Sequence, residues 1–482
     1  MTTDNTTNRL KSLCFEELLD TISEKHGEDK VQPIISFINT NHILNANNDC
    51  KNTIDHLSKK AELGVTTAQY QLAECYAKGL GVQINYERAF RWYSEAADHY
   101  HTPSQRTLAA MYRYGIGVPQ NHKKAFVWYS MAATLGDSLA QCSLGELYYK
   151  GLGVKKSYKK AVEWLAKSAR QGLAIAQFNL AELYWAGAGV PQNYKKAVSL
   201  YISSSNQDYA LAQNALGFCY ENGLGVPQNY ETASDWYALS AEQNNAEAQW
   251  NLGRCYELGL GVAVDYKKAV ELYTASAEQD NVCAQWDLGN CYAIGQGVNK
   301  DNDTAIWWYN RAARENDPYA LCQLGQHYAY GLGFSLDNDK AVKCYKKAAK
   351  QDYAWAQRLL GECYQYGYGV KQNYETALGW YAKAAEQNEE EAQWALGDFY
   401  IKGLGTDKSY DKALYWYSKA EAHKDSYPGY DLETAISDKD YIIPNSYEEI
   451  LEEFDMGLIS SDEVRFKALR FLQRLKETQD DK

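Results

Sequence analysis

The side chains able to do chemistry are scattered along this chain rather than gathered into a motif. His42, His56, His99, His101, His122, His327 and His423 share no ligand spacing. No His-Glu-x-x-His, Gly-Lys-Ser/Thr or Cys-x-x-Cys occurs, so the sequence marks of a hydrolytic zinc, a phosphate loop or a thiolate metal site are missing. Asp301 and Asp303 have the spacing that opens a calcium loop, but the glycine and closing Glu of such a loop do not follow. Gly-x-Gly pairs recur, yet a dinucleotide-binding turn needs a third glycine and a preceding strand. Cys75, Cys219, Cys255, Cys291 and Cys363 occupy positions held elsewhere by Met111, Leu147, Leu183 and Phe399, so they read as small core side chains. Cys283 and Cys291 stand eight apart on one expected helix, roughly 12 Å, too far for a disulfide. The expectation is of reduced thiols and of no catalytic residue, no cofactor and no metal.

What positions these residues is a repeat of thirty-six. Gly-x-Gly falls at Gly79/Gly81, Gly115/Gly117, Gly151/Gly153, Gly187/Gly189, Gly223/Gly225, Gly259/Gly261, Gly295/Gly297, Gly331/Gly333, Gly367/Gly369 and Gly403/Gly405, without insertion or deletion. A constant period of this length predicts a solenoid built from one supersecondary unit. Each copy reads as helix A, a turn and helix B. Leu72 and Tyr76 recur in every helix A, and a small residue (Ala73, Gly145, Gly397) after the Leu lets helix B approach. The first glycine suits a left-handed helix end; between the pair an apolar residue such as Leu80 is expected to point inward. Asn85, Asn121, Ser157, Asn193, Asn229, Asp265, Asp301, Asp337, Asn373 and Ser409 share one register, that of a helix-B N-cap. Ala89, Trp92, Tyr93, Ala96 and Ala97 then form an apolar stripe facing the neighbouring helices.

The pattern Ala-x-x-x-Leu-Gly-x-x-Tyr-x-x-Gly-x-Gly-Val, then Asn/Asp-Tyr-x-x-Ala-x-x-Trp-Tyr-x-x-Ala-Ala, resembles the Sel1-like repeat, a relative of the tetratricopeptide repeat. The resemblance covers about 360 of the 482 residues. It implies an all-α, right-handed α/α superhelical solenoid that serves as an adaptor or scaffold. In the tetratricopeptide relatives, residues two before and two after the constant Leu line a concave groove. Carried onto this chain, those registers nominate Tyr70, Glu74, Arg106, Phe178, Glu182, Phe218, Trp250, Arg254, Trp286, Arg358, Trp394 and Asp398 as a protein-binding surface. Trp, Tyr and Arg are the residue types that anchor interfaces, and a ring paired with a carboxylate (Tyr70/Glu74, Phe178/Glu182, Trp394/Asp398) suits a basic peptide. The cysteine pair of secreted, enzyme-like relatives is absent; Ala97 and Gln105 stand in its registers at the first junction.

Around the ten copies at 66–425 the chain divides into a helical N-terminal segment at 1–47, a half-repeat cap at 48–65, a linker at 426–445 and a helical hairpin at 446–482. The hairpin carries capping boxes at Ser446/Glu449 and Ser460/Glu463 and an apolar stripe through Val464, Ala468, Phe471, Leu472 and Leu475. Net charge is −13, of which residues 426–482 hold −7. That balance argues against nucleic acid or an anionic membrane as the main partner. No run of apolar residues is long enough to insert in a membrane, and the expected setting is cytoplasmic. The expected function is a non-enzymatic scaffold that binds protein segments. Two alternatives stand beside it: a regulatory subunit using the acidic tail to activate a membrane or signalling enzyme, and a weak hydrolase or small-ligand binder.

Overall fold

The computed structural model describes residues 48–333 and 335–422. The expected segments at 1–47, 426–445 and 446–482 lie outside the described residues, while the half-repeat cap contributes the helix Asn48–Glu62. Every element among the described residues is helical. They form two compact units, one up to Ala248 together with 260–262, the other 249–259 and from 263 onward. Within each unit a helix packs on the one before it and the one after it, the connectivity of an α/α solenoid.

One repeat shows why the sequence folds this way. Ala210–Asn222 is helix A and Tyr230–Glu242 is helix B. Helix A ends at Gly223, whose φ of +67° closes a left-handed cap with its N–H on the Cys219 carbonyl. Helix B begins at Asn229, whose side chain accepts the Thr232 N–H, satisfying one of the donors a helix start leaves open. The same bond forms at Asn85, Asn121, Ser157, Asn193, Asp265, Asp301, Asp337 and Asn373, so Asp301 is a helix cap.

The constant Leu is buried in all ten copies, from Leu72 at 0% exposure to Leu252 at 7%. Beside it, the small residue makes room for helix B as expected, since a Cβ on Gly217 would lie 2.5 Å from the Tyr237 ring. The second glycine of most pairs does something the periodicity did not announce. A Cβ on Gly225 would lie 2.6 Å from the Tyr194 carbonyl oxygen, in helix B of the preceding repeat. It is where one repeat sits backbone-to-backbone on the last. Leu80, expected to point inward, is half exposed, whereas Ile116 at the same register is buried.

In helix B the Tyr of the Trp-Tyr pair is the core residue. Tyr93, Tyr129 and Tyr237 are fully buried, while Trp92, Trp128 and Trp236 are half-buried. The nine cysteines whose side chains are described are free, as expected.

Repeats are also stitched by buried amides. Gln69, Gln105, Gln141 and Gln177 each donate Nε2–H to the carbonyl at the end of the preceding helix B, at 3.1–3.4 Å. Their Oε1 atoms need a donor of their own. Gln171 supplies it to Gln141 at 2.9 Å and Gln207 to Gln177 at 2.9 Å. Gln243, Gln279 and Gln387 do the same for Gln213, Gln249 and Gln357. Where the donor register holds His99, Leu135 or Glu315, the Oε1 of Gln69, Gln105 or Gln285 is buried with no hydrogen-bond partner.

Candidate functional site

The twelve residues nominated as a groove divide by what they touch. Tyr70 lies between Tyr93 and His101, with ring centroids 5.8 and 5.0 Å away, and Glu74 accepts the Tyr93 hydroxyl at 2.5 Å while pairing Lys78 at 2.9 Å. Arg106 is only 8% exposed and its Nε stands 3.4 Å from Asp137. Trp250 donates its indole N–H to Asp287 at 2.7 Å, a bond from one repeat to the next, and Arg254 lies over its ring. Burial pushes the Asp287 carboxyl up to about 7; the Trp250 bond and Arg254 pull it down, and Glu257 adds to the rise. Trp286 packs on Tyr319 at 4.5 Å. Arg358 bonds Glu362 in its own helix, Glu389 at 2.8 Å and Glu391 at 2.9 Å across the following junction. Trp394 donates to Glu390 at 3.2 Å and packs on Tyr417, whose hydroxyl donates to Asp398 at 2.7 Å. Arg106, Trp250, Trp286 and Arg358 thus reach toward the following repeat, whereas Tyr70, Glu74, Trp394 and Asp398 tie helix A to helix B within their own.

Phe178, Glu182 and Phe218 are placed differently. Phe178 and Glu182 line a concave cavity of 460 Å³ in the first unit. Phe178 presents its ring there while its other contacts, Tyr201 and Tyr209, hold it at 5.8 and 5.4 Å. Tyr114, Leu139, Ile175 and Leu211 complete the apolar wall. Of its charged residues Arg113 is buried, Glu146 is half-buried, and Lys150 and Glu182 are exposed. Arg113, 3% exposed, donates to Glu146 Oε2 at 2.9 Å, and Asn179 donates to Glu146 Oε1 at 3.4 Å. Glu182 accepts the Tyr201 hydroxyl, and Lys150 stands at the rim. The result is a mainly apolar recess with a half-buried, hydrogen-bonded ion pair in its wall and two exposed charges, Lys150 and Glu182, beside it.

Phe218, 44% exposed, shares a helix face with Leu211 seven residues earlier and packs edge-on against Trp185 at 5.9 Å. Leu211 lines the cavity, and Phe218 with Trp185 forms an aromatic platform on the helix face that runs on from it. Sequence reasoning missed Arg113, Asn179 and Leu211. For Arg113 and Leu211 the available signal was the helix face two turns away, since Arg113 follows Arg106 by seven and Leu211 precedes Phe218 by seven, whereas Asn179, one after Phe178, lies off that register.

A second cavity, 570 Å³ in the other unit, is lined largely by polar side chains, among them Asn290, Gln323, Gln326 and His327. Burial holds the His327 imidazole below its ordinary pKa, and its Nδ1 lies 3.0 Å from the Leu332 carbonyl. Among the described residues no group of three His, Cys, Asp or Glu is placed to hold a metal ion, and no helix is long and apolar enough to cross a membrane.

Helix pairs in tandem, stitched through glycine contacts and amide ladders, define an α-helical repeat protein of the kind whose surfaces bind other proteins. The Sel1 repeat model matches all ten copies, at 66–101, 102–137, 138–173, 174–209, 210–245, 246–281, 284–317, 318–353, 356–389 and 390–425, and the chain belongs to that family. Among solved structures it is similar to c5321, a protective antigen of uropathogenic Escherichia coli strains displaying an SLR fold. Identity is 31%, over 77% of this chain and 88% of that one, with a TM-score of 0.54. It is also similar to a Sel1 repeat protein from Oxalobacter formigenes, at 28% identity over 64% and 89% of the two chains, TM-score 0.49. No curated protein matches the chain.

Proposed function

We propose that this protein is a binding scaffold, not an enzyme, and that it holds a partner's peptide segment by an apolar side chain seated in the cavity between the second and fourth repeats. The cavity carries the reading: it is concave and walled by Phe178, Ile175 and Leu211, and the Arg113–Glu146 pair in its wall supplies fixed polarity. Phe218 and Trp185 extend the contact beyond the recess, in the way aromatic anchors organise interfaces. A basic partner draws little support from the carboxylates that suggested it, because Glu74, Glu182 and Asp398 each accept a hydroxyl from a helix-B tyrosine. Phe178, Glu182 and Phe218 belong to the proposed site; the other nine nominated residues act in holding the solenoid together.

The test is selection of displayed peptides on the full chain, followed by affinity measurements on the winners. Leu211→Glu and Phe218→Ala, both at exposed positions, should weaken binding about tenfold or more with unchanged helicity and melting. Selected peptides that bind both variants as well as the parent would remove the cavity from consideration.

A further inference from the structure

The net charge of −13 conceals a local reversal. Residues 102–209, the second to fourth repeats, carry thirteen Lys and Arg against five Asp and Glu, a net +8. The next repeat, 210–245, carries four acids and no base. The lysines of the basic block are concentrated along one edge of the first unit. Lys123, Lys124, Lys159, Lys160, Lys195 and Lys196 occupy the first turn of three successive helices B, with Lys155 and Lys156 in the turn before the second of them, and all are exposed.

Turn and helix start are neighbours in space as well. A Cβ on Gly153 would lie 2.1 Å from the His122 carbonyl oxygen and 2.7 Å from the Lys123 nitrogen, and one on Gly189 would lie 2.7 Å from the Lys159 nitrogen. Each A–B turn is thus seated on the first turn of the preceding helix B. Lys155 and Lys156, two and three residues beyond Gly153, extend the row begun by Lys123 and Lys124. Tyrosines lie under one member of each pair: Lys124 is 5.1 Å from the Tyr112 ring, Lys160 5.2 Å from Tyr148 and Lys196 5.2 Å from Tyr184. Lys156 covers both Tyr149, at the cavity rim, and Tyr158.

A cation over the helix-A tyrosine recurs along the chain, at Arg88, Lys268, Lys340 and Lys412, so the second lysine of each pair also serves the fold; packing does not ask for the first. The start of a helix is the positive end of its dipole, where cations are disfavoured. At the first of the two positions the other repeats place an acid, Glu87, Glu231, Asp303, Asp339, Glu375 and Asp411, except the sixth, where Lys267 and Lys268 form a single pair in a repeat of six acids and three bases. An edge that breaks the electrostatic rule three times running, on an otherwise acidic chain, is organised for an anionic partner.

We infer that this lysine edge docks an acidic protein segment, an extended stretch whose Asp and Glu meet successive lysine pairs. A protein segment is favoured over nucleic acid by the length of the patch. The basic character stops at residue 209, and a polyanion continuing past it would meet the acid-only fifth repeat. A short acidic stretch ends within the edge. This surface is separate from the apolar recess, so either reading can fail without the other.

The measurement is fluorescence anisotropy of the full chain with a short labelled peptide of alternating Glu and Ser, against the same peptide with Gln for Glu. The Glu peptide should bind, and binding should weaken steeply between about 50 and about 200 mM salt as the screening length shortens. Lys155→Gln/Lys156→Gln/Lys159→Gln/Lys160→Gln should lose about tenfold or more in affinity. A variant neutralising Lys340, Lys343, Lys346 and Lys347 in the eighth repeat should lose little, and Leu211→Glu should leave this binding intact. Equal binding of the Gln peptide, or equal loss in the two quadruple variants, would overturn the inference. Tighter binding of an oligonucleotide or of phosphatidylserine vesicles would overturn it in favour of that polyanion. Salt-sensitive self-association abolished by the first variant would overturn it in favour of a second copy of this chain.

Discussion

Leu135→Gln should stabilise this protein, although it replaces an apolar residue by a polar one. In the second repeat Gln105 has its Nε2–H on the Ala97 carbonyl and its Oε1 buried with no partner. One repeat later Gln171 stands at the register of Leu135 and donates to the equivalent Gln141 at 2.9 Å. The two backbones already agree: Leu135 has φ −80° and ψ 0°, Gln171 φ −81° and ψ 1°. Leu135 is 57% exposed, so its removal forfeits little burial. Satisfying a buried acceptor is worth about 1–3 kcal/mol. Ordering a glutamine side chain costs up to about 1.5–2 kcal/mol, but this one is partly confined at a helix end. The net gain should be about 1 kcal/mol, read as a higher denaturation midpoint in urea and a rise of a few degrees in melting temperature. A cycle with Gln105→Met identifies the cause, because the gain should vanish when the acceptor is gone. A neutral or destabilising Leu135→Gln, or a gain that persists beside Gln105→Met, would refute the ladder argument.

Four further outcomes follow from the same contacts. Gly225→Ala combines a left-handed φ of +79° with a Cβ 2.6 Å from the Tyr194 carbonyl oxygen, and should destabilise by about 3 kcal/mol or more. Gly172→Ala, equally left-handed at φ +89° but with nothing within 4 Å, should lose only about 1–2 kcal/mol, so equal losses in urea melts would discount the backbone contact. Tyr100→Asn should add about 1 kcal/mol in the same assay, since Tyr100 is exposed at φ +59°, where the other repeats place Gly, Asn or Asp. Asp287 has a folded-state pKa raised to about 7, so its contribution is fully present below about pH 4 and is lost as pH rises through about 7. Asp287→Asn, which keeps an acceptor for Trp250, should flatten that decline, and parallel stability–pH profiles would count against it. Burial pushes the Cys219, Cys291 and Cys363 thiols up to about 12, so native alkylation at about pH 8 should be slow and become rapid on unfolding.

The division between what was legible in the residues and what was not follows the range of the interactions. Helix ends are local. Asn229 meets Thr232 three residues on and Gly223 closes on Cys219 four residues back, so caps, turns and helix bounds could be read directly. Exact repetition then multiplied one local solution into ten and made the solenoid evident. The groove registers were equally easy to count, but their surroundings were not. Glu182 is held by Tyr201 nineteen residues away, Trp250 by Asp287 thirty-seven away and Arg358 by Glu389 thirty-one away. Asp287 and Glu389 sit at positions that vary from copy to copy, and although the tyrosine at Tyr201 recurs, the residue opposite it at the Glu182 register does not.

Periodicity therefore shows which face of helix A looks across to its neighbours. It cannot show whether a particular ring or carboxylate there is taken up by the next helix or left for a partner. Only the packing of the second to fourth repeats decided that Phe178 borders an open recess while Trp286 stacks on Tyr319. The amino-acid sequence by itself determined the repeating unit, its caps and its buried leucines, because those depend on near neighbours alone. The tertiary structure decided the cavity, the glutamine ladder and the lysine edge, because each is assembled from residues about one repeat apart in the chain.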